Sequence, residues 1–254
     1  MNPYLKNTAI IALIAGFFTA CNKDIETTKA VAFDIVGYNT SNNDLEISVD
    51  TVVFSRFPIA ANSVVSFGKS YTYPSVKREA QISVKDKQSG NEVWKQTVRL
   101  SDAELEQFYP FVWLDGQVLA VNPPTADANT NKIGFYVHYP QSNDPIDIFI
   151  KNEAGQAAYF AKNVTPGTWV YSDYVTPEGF FQNPNGDFYI HCTKAGTTDS
   201  WAFDNNEAKS KVSNNNNGTF FPLHHTQKGN VRSYFITPGM YQMELIRLFK
   251  KPRN

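Results

Sequence analysis

Apolar residues recur at every second position through most of this chain, and that period constrains the fold more than any other feature. Leu45, Ile47 and Val49 alternate with Glu46, Ser48 and Asp50, and Ala80, Ile82 and Val84 alternate with Gln81, Ser83 and Lys85. Ile133, Phe135, Val137 and Tyr139 share one parity, as do Ile146, Ile148 and Ile150. Successive side chains of a strand point to opposite faces, so this pattern marks half-buried β-strands. Further strand-like runs are Val64–Phe67, Tyr71–Tyr73, Trp94–Leu100, Phe108–Leu114, Ala157–Ala161, Trp169–Val175, Phe188–Cys192, Ser233–Ile236 and Met240–Phe249. Ser89-Gly90-Asn91, Asn143-Asp144-Pro145 and Pro238-Gly239 supply turn chemistry between them. The apolar parity changes after Asp50, which predicts a bulge or crossing there, and Gly68 closes the Val64–Phe67 run. Ser101-Asp102-Ala103-Glu104 has capping-box spacing and predicts one helical turn over 101–107. Pro110 belongs at an edge, a strand start or a bulge. Short strands with regular turns and hardly any helix predict an all-β chain built of sandwiches.

The length of 254 residues exceeds that of one typical domain. Asn122–Asn131 lacks apolar periodicity and reads as a linker, dividing the chain into residues 31–121 and 132–254. The second part is expected to carry a long loop insertion through 177–232, including the polar run Ser213–Gly218. The two parts echo each other. The first has Leu45–Asp50, Phe67-Gly68-Lys69-Ser70-Tyr71 and the Ala80–Asp86 strand with its Ser89-Gly90 turn, closed by Leu100 and Phe108–Leu114; the second has Ile146–Lys151, Asn163–Trp169 and a closing strand after Thr237-Pro238-Gly239. This order resembles the DUF4397-type immunoglobulin-like repeats of bacterial surface lipoproteins, over most of 40–120 and less closely over 133–250. The resemblance implies two tandem immunoglobulin-like β-sandwich domains and no catalytic residues.

Ahead of the strands, Ile10–Cys21 (IIALIAGFFTAC) follows Lys6 and is apolar nearly throughout to Phe18. That is the layout of a secretory signal, too short to span a bilayer. Thr19-Ala20-Cys21 resembles the lipobox of bacterial lipoproteins, although Phe18 stands where the family usually has Leu. The resemblance implies removal of residues 1–20, a lipid on Cys21, and a membrane partner through that lipid. Residues 21–30 are polar and read as a tether. Lys23-Asp24 with Glu26 also resembles the export signal of Bacteroidetes lipoproteins, which implies the outer face of the outer membrane. On this reading 31–121 sits near the membrane and 132–254 is held away from it.

Composition narrows the function. Losing residues 1–20 removes Lys6 and leaves a formal charge of −2, which argues against a nucleic-acid partner. With Cys21 lipidated, Cys192 has no cysteine to pair with and reads as a small buried hydrophobe. Its neighbour His191 falls on the opposite face of a strand, so no Cys–His nucleophile is formed. His224-His225 with Asp199, Asp204 or Glu207 lacks the spacing of a metal site. No nucleophile elbow, phosphate loop or dinucleotide fingerprint occurs. The expectation is therefore a non-enzymatic chain without metal or cofactor.

Aromatic residues remain as candidates for binding. Trp201, in Thr197–Asp204, and Trp169 with Tyr171 and Tyr174 could stack on sugar rings while Asn and Asp bond the hydroxyls. Large aromatics are also the natural core of a small sandwich, the role read for Trp94 and Trp113. Two functions fit: a lipid-anchored cell-surface protein binding carbohydrate or another extracellular ligand, as an accessory of a nutrient importer, or a structural or adhesive subunit contacting surface proteins.

Overall fold

The computed structural model describes residues 27–101, 104–183, 186–214 and 219–252. The leader 1–20, Cys21 and most of the tether lie outside the described residues. Eight strands form the first part: β1 (Thr28–Asn39), β2 (Leu45–Val49), β3 (Val52–Val53), β4 (Ser63–Pro74), β5 (Glu79–Asp86), β6 (Glu92–Arg99), β7 (Glu106–Leu114) and β8 (Gln117–Val118). Eight more form the second: β9 (Asn131–Val137), β10 (Ile146–Lys151), β11 (Ala157–Val164), β12 (Trp169–Tyr174), β13 (Tyr189–Lys194), β14 (Lys211–Ser213), β15 (Val231–Pro238) and β16 (Met243–Arg247). A single helical turn, α1 (Glu207–Ser210), is capped by the Asn206 side chain.

The chain is all-β and makes two immunoglobulin-like sandwiches of identical plan. Sheet order β4-β1-β7-β8 matches β12-β9-β15-β16, and β3-β2-β5-β6 matches β11-β10-β13-β14. Even the mixed pairing repeats: β1 lies parallel to β7, and β9 parallel to β15, with the other neighbours antiparallel. The echo of Leu45–Asp50 in Ile146–Lys151 reflects this repeat, β2 answering to β10, whereas the closing strand after Gly239 is the counterpart of β8 and not of the Phe108–Leu114 strand. The stretch expected to be an insertion, 177–232, supplies β13 and β14, the counterparts of β5 and β6.

Alternation fills each core from both of its sheets. Val31, Phe33, Ile35, Val65, Phe67 and Phe111 meet Ile47, Val49, Ile82, Val84 and Val98 in the first sandwich. Ile133, Phe135, Val137, Tyr234 and Ile236 meet Ile148, Ile150, Phe160, Ile190 and Cys192 in the second. Trp94 and Trp113 pack against the first core.

Several local expectations are corrected. β4 runs unbroken through Gly68, whose missing side chain faces open space. In place of the turn expected over 101–107, β7 begins at Glu106, and Asp102 and Ala103 lie outside the described residues. β1 starts at Thr28, inside the stretch read as tether. Pro110 lies in β7 opposite Val36 of β1, below the level where β8 joins at Trp113 and Leu114. Its lack of an N–H therefore interrupts no ladder on that side. Asp50 takes a φ of +52° where the parity changes between β2 and β3.

The sandwiches meet through their equivalent sheets. Val36, Tyr38, Val112 and Leu114 of one pack on Tyr136, Phe235, Ile246 and Leu248 of the other, with Leu119, Val121 and Trp169 at the margin. Asp34 pairs with Arg247 at 2.9 Å across the seam, and the Arg247 guanidinium lies over the Phe108 ring. The C-terminal ends of β1, β9 and β15 line one cleft of about 450 Å³, between Tyr38, Thr40, His138, Pro140, Thr237 and Met240. The second sandwich therefore stands beside the first, not beyond it. Among the described residues no helix is long and apolar enough to cross a membrane.

Candidate ligand-binding face

Four sheets stacked in this way leave two outermost faces. The free face of β2-β5 carries mainly small and charged residues. Val53, Ser48, Ser83 and Lys95 follow one another across the strands, and Ser83 donates to Glu92. The register of the second sandwich puts Tyr159, Phe149, His191 and Lys211 in the same four positions. Val53, Ser48 and Ser83 have been replaced by rings, and the lysine at the fourth position is kept.

Those rings interact as a continuous stack. Phe149 lies 5.1 Å from Tyr159 and 5.2 Å from His191, nearly parallel to the latter at 4°. Trp201 adds the next ring, 5.9 Å from His191 at 14°. Its position is set by the chain after β13: Ser200 accepts from the Lys194 amide, Cys192 accepts from the Ala202 amide, and Trp201 bridges to Thr193. Trp201 is thus the diagonal cross-strand neighbour of His191, within reach of large side chains. Phe149 points away from the core yet is fully buried, while Tyr159, His191 and Trp201 are part-exposed and Tyr189 is 47% exposed. Lysines crown the row: Lys162 stands 3.9 Å over Tyr159, Lys211 4.9 Å over Tyr189 and Lys151 5.7 Å from Phe149.

His191 is neutral in this setting. Burial, reinforced by Lys151 and Lys211, pushes its pKa from 6.5 down to about 4, and its Nδ1 is buried without a hydrogen-bond partner. The unfolded chain, with the ordinary value, binds the proton first. Stability is therefore unaffected by this group above pH 6.5 and falls as the pH is lowered from there toward 4. His191→Phe keeps a ring in the stack and removes the titration. Thermal unfolding should show the variant losing less stability than the wild type between neutral pH and pH 4. An identical acid dependence in both would refute this placement of the histidine.

The other aromatic candidates lie elsewhere. Trp169 and Tyr171 stack at 5.6 Å on β12, at the edge of the seam. Trp169 donates through Nε1 to the Ala120 carbonyl at 2.9 Å, and Tyr171 bonds Ser233. Tyr171 lies flat on Gly134, where any Cβ would meet its ring at 2.2 Å. Tyr174 is a core residue, 5% exposed against Phe160, with burial raising its hydroxyl to about 12. It offers no face to a ligand. The structure thus separates the four residues, and His191, Phe149 and Tyr159 join Trp201 instead. Their partnership follows from strand register, which the sequence carries only as matching parity of 149 and 191.

Cys192 is fully buried, which raises its thiol well above the ordinary range, and its side chain faces the core. His224 and His225 lie against each other at 4.4 Å. Among the described residues no three His, Cys, Asp or Glu side chains converge.

No protein-family model matches the chain, and no curated protein matches it. Among solved structures it is similar to a family 41 carbohydrate-binding module of streptococcal virulence factors, described in α-glucan recognition, at 10% identity over 84% of this chain and 95% of that one, with a TM-score of 0.25. It is also similar to a family 26 carbohydrate-binding module from Eubacterium rectale in complex with maltoheptaose, at 11% identity over 88% and 98%, with a TM-score of 0.23. A candidate adhesin from Bacteroides ovatus matches at 10% identity over 92% and 99%, also with a TM-score of 0.23.

Proposed function

We propose that this chain is a cell-surface binding protein, anchored through a lipid on Cys21 in the outer membrane, that captures glycan on the free face of β11-β10-β13-β14. One observation carries the reading. At equivalent positions of two sandwiches with the same plan, one has Val53, Ser48 and Ser83 and the other has Tyr159, Phe149 and His191, extended by Trp201. A sheet of this plan does not need such a row, since a valine and two serines suffice at the same positions of the first sandwich. Part-exposed rings next to hydrogen-bonding side chains are the usual means of holding a sugar, whose faces are apolar and whose rim is polar. No reaction is assigned. Capture beside a nutrient importer is the role this placement suits.

A glycan array probed with the purified full chain tests the reading. Trp201→Ala should weaken any ligand found at least about tenfold, the equivalent of about 1.4 kcal/mol. The absence of any glycan ligand would overturn it. The second reading, an adhesive subunit, is favoured by the turn between β15 and β16, where Met240 and Tyr241 are 79% and 82% exposed. Exposed apolar side chains at a loop tip suit a protein contact.

A further inference from the structure

We propose that the glycan held on this face is acidic, bearing carboxylate or sulfate groups that Lys151, Lys162 and Lys211 receive around the Tyr159–Trp201 row. This rests on the glycan-binding reading above and narrows it to a ligand class. Each lysine already stands over or beside a ring of the row or its neighbour Tyr189. A neutral sugar stacking on Tyr159 would have to displace the Lys162 ammonium. An acidic sugar would keep it, because the same ammonium can sit over the ring and pair with the anion.

Charge on the face is balanced from within at Lys211 but not at Lys151 or Lys162. Glu207 pairs with Lys211, and Asp204 is engaged by Lys209 at 2.7 Å. Asp147, also on β10, is consumed by the backbone amides of Asn163 and Gly196, both at 2.9 Å. Among the described residues neither Lys151 nor Lys162 has an ion-pair partner; Lys151 donates to the Thr198 carbonyl at 3.1 Å. The corresponding face of the first sandwich is mixed instead, with Lys95 near Glu92 at 3.9 Å and with Glu46 and Lys85 opposite each other. Burial lowers the proton affinity of His191 most, and Lys151 and Lys211 add to it against an opposing Glu207. The whole chain has a formal charge of only −1.

The chemistry also fits spaced single charges. Lysine is a point cation without the bidentate fork of arginine, and the three lysines belong to three different strands or their ends, β10, β11 and β14. Across a four-stranded sheet that is a span of about 14 Å, suited to a chain that carries one anionic group per sugar or two.

Titration calorimetry of the full chain with polygalacturonate, dextran sulfate and neutral dextran, at low and high salt, tests the proposal. At least one of the two acidic polymers should bind, more weakly as salt rises. Lys151→Gln/Lys162→Gln and Trp201→Ala should each weaken that binding at least tenfold without moving the unfolding midpoint by more than a degree or two. Binding of polygalacturonate alone assigns carboxylates, and binding of dextran sulfate alone assigns sulfates. If neutral glycans bind through Trp201 and the lysine variant binds them as well as the wild type does, the acidic assignment is wrong while glycan capture stands. If no glycan binds, both fall. Trp201-dependent binding of a single-stranded oligonucleotide with no acidic glycan bound would also overturn the assignment.

Discussion

Gly37→Ala should abolish stable folding of the first sandwich, at a cost of about 4 kcal/mol or more, in the range reached only by severe core or backbone changes. Gly37 sits in β1 opposite Phe111 of β7 in the parallel ladder. A Cβ there would lie 1.7 Å from the Phe111 carbonyl oxygen and 2.4 Å from its carbon. Both are backbone atoms of a neighbouring strand, so no rotamer change relieves the clash, and β1 would have to part from β7. β1 is also the partner of β4 over twelve registered positions, so the displacement reaches the whole inner sheet. Gly68→Ala is the control. It lies on the same sheet, a Cβ there meets nothing within 4 Å, and the loss of chain entropy in the unfolded state favours alanine. Urea unfolding should find that variant within about 0.5 kcal/mol of the wild type or more stable. Equal effects of the two substitutions would refute the close approach of β1 and β7.

Phe235→Ala should cost about 3–5 kcal/mol and change the manner of unfolding as well as its midpoint. Phe235 is fully buried, but in neither sandwich core. Its ring stacks on Tyr38 of the first sandwich at 5.7 Å and on Tyr136 and His138 of the second at 6.0 and 6.1 Å. Removing it empties the centre of the seam and leaves both cores filled. The two sandwiches, coupled in the wild type, should then melt as two units. Tryptophan fluorescence reports on both, through Trp94 and Trp113 in one and Trp169 and Trp201 in the other. One sharp transition at an unchanged midpoint would show that the seam contributes little.

The strands were legible because alternation is a local property, written in residues two apart. Their counterparts in the two halves were legible for the same reason, through Leu45–Asp50 and Ile146–Lys151. The seam was not. Its evidence in the sequence is the failure of alternation, in Ile35-Val36 and Tyr234-Phe235-Ile236, where both faces of a strand are apolar. Such runs fit any strand buried on both sides and do not say what covers the second face. The pairing of Asp34 with Arg247 joins residues 213 positions apart, beyond any local signal. The aromatic row was half visible: Trp201 stood out by its polar surroundings, whereas Phe149 and His191 looked like routine strand positions. Tyr174 shares β12 with Trp169 and Tyr171 but falls on the opposite parity, and parity sent it into the core.

The seam has a meaning for how such a chain comes to exist. One repeat alone would present Val36, Tyr38, Val112 and Leu114, or Tyr136, Phe235, Ile246 and Leu248, to water. A lone unit of this plan would be driven to find a second one in solution, at the mercy of its concentration. Joining two units through a linker of about a dozen residues makes the encounter intramolecular, at an effective concentration in the millimolar range, so the pair persists however dilute the protein is. Once pairing no longer depends on two identical copies, the copies are free to differ. One outer face can stay bland while the other gathers rings and lysines.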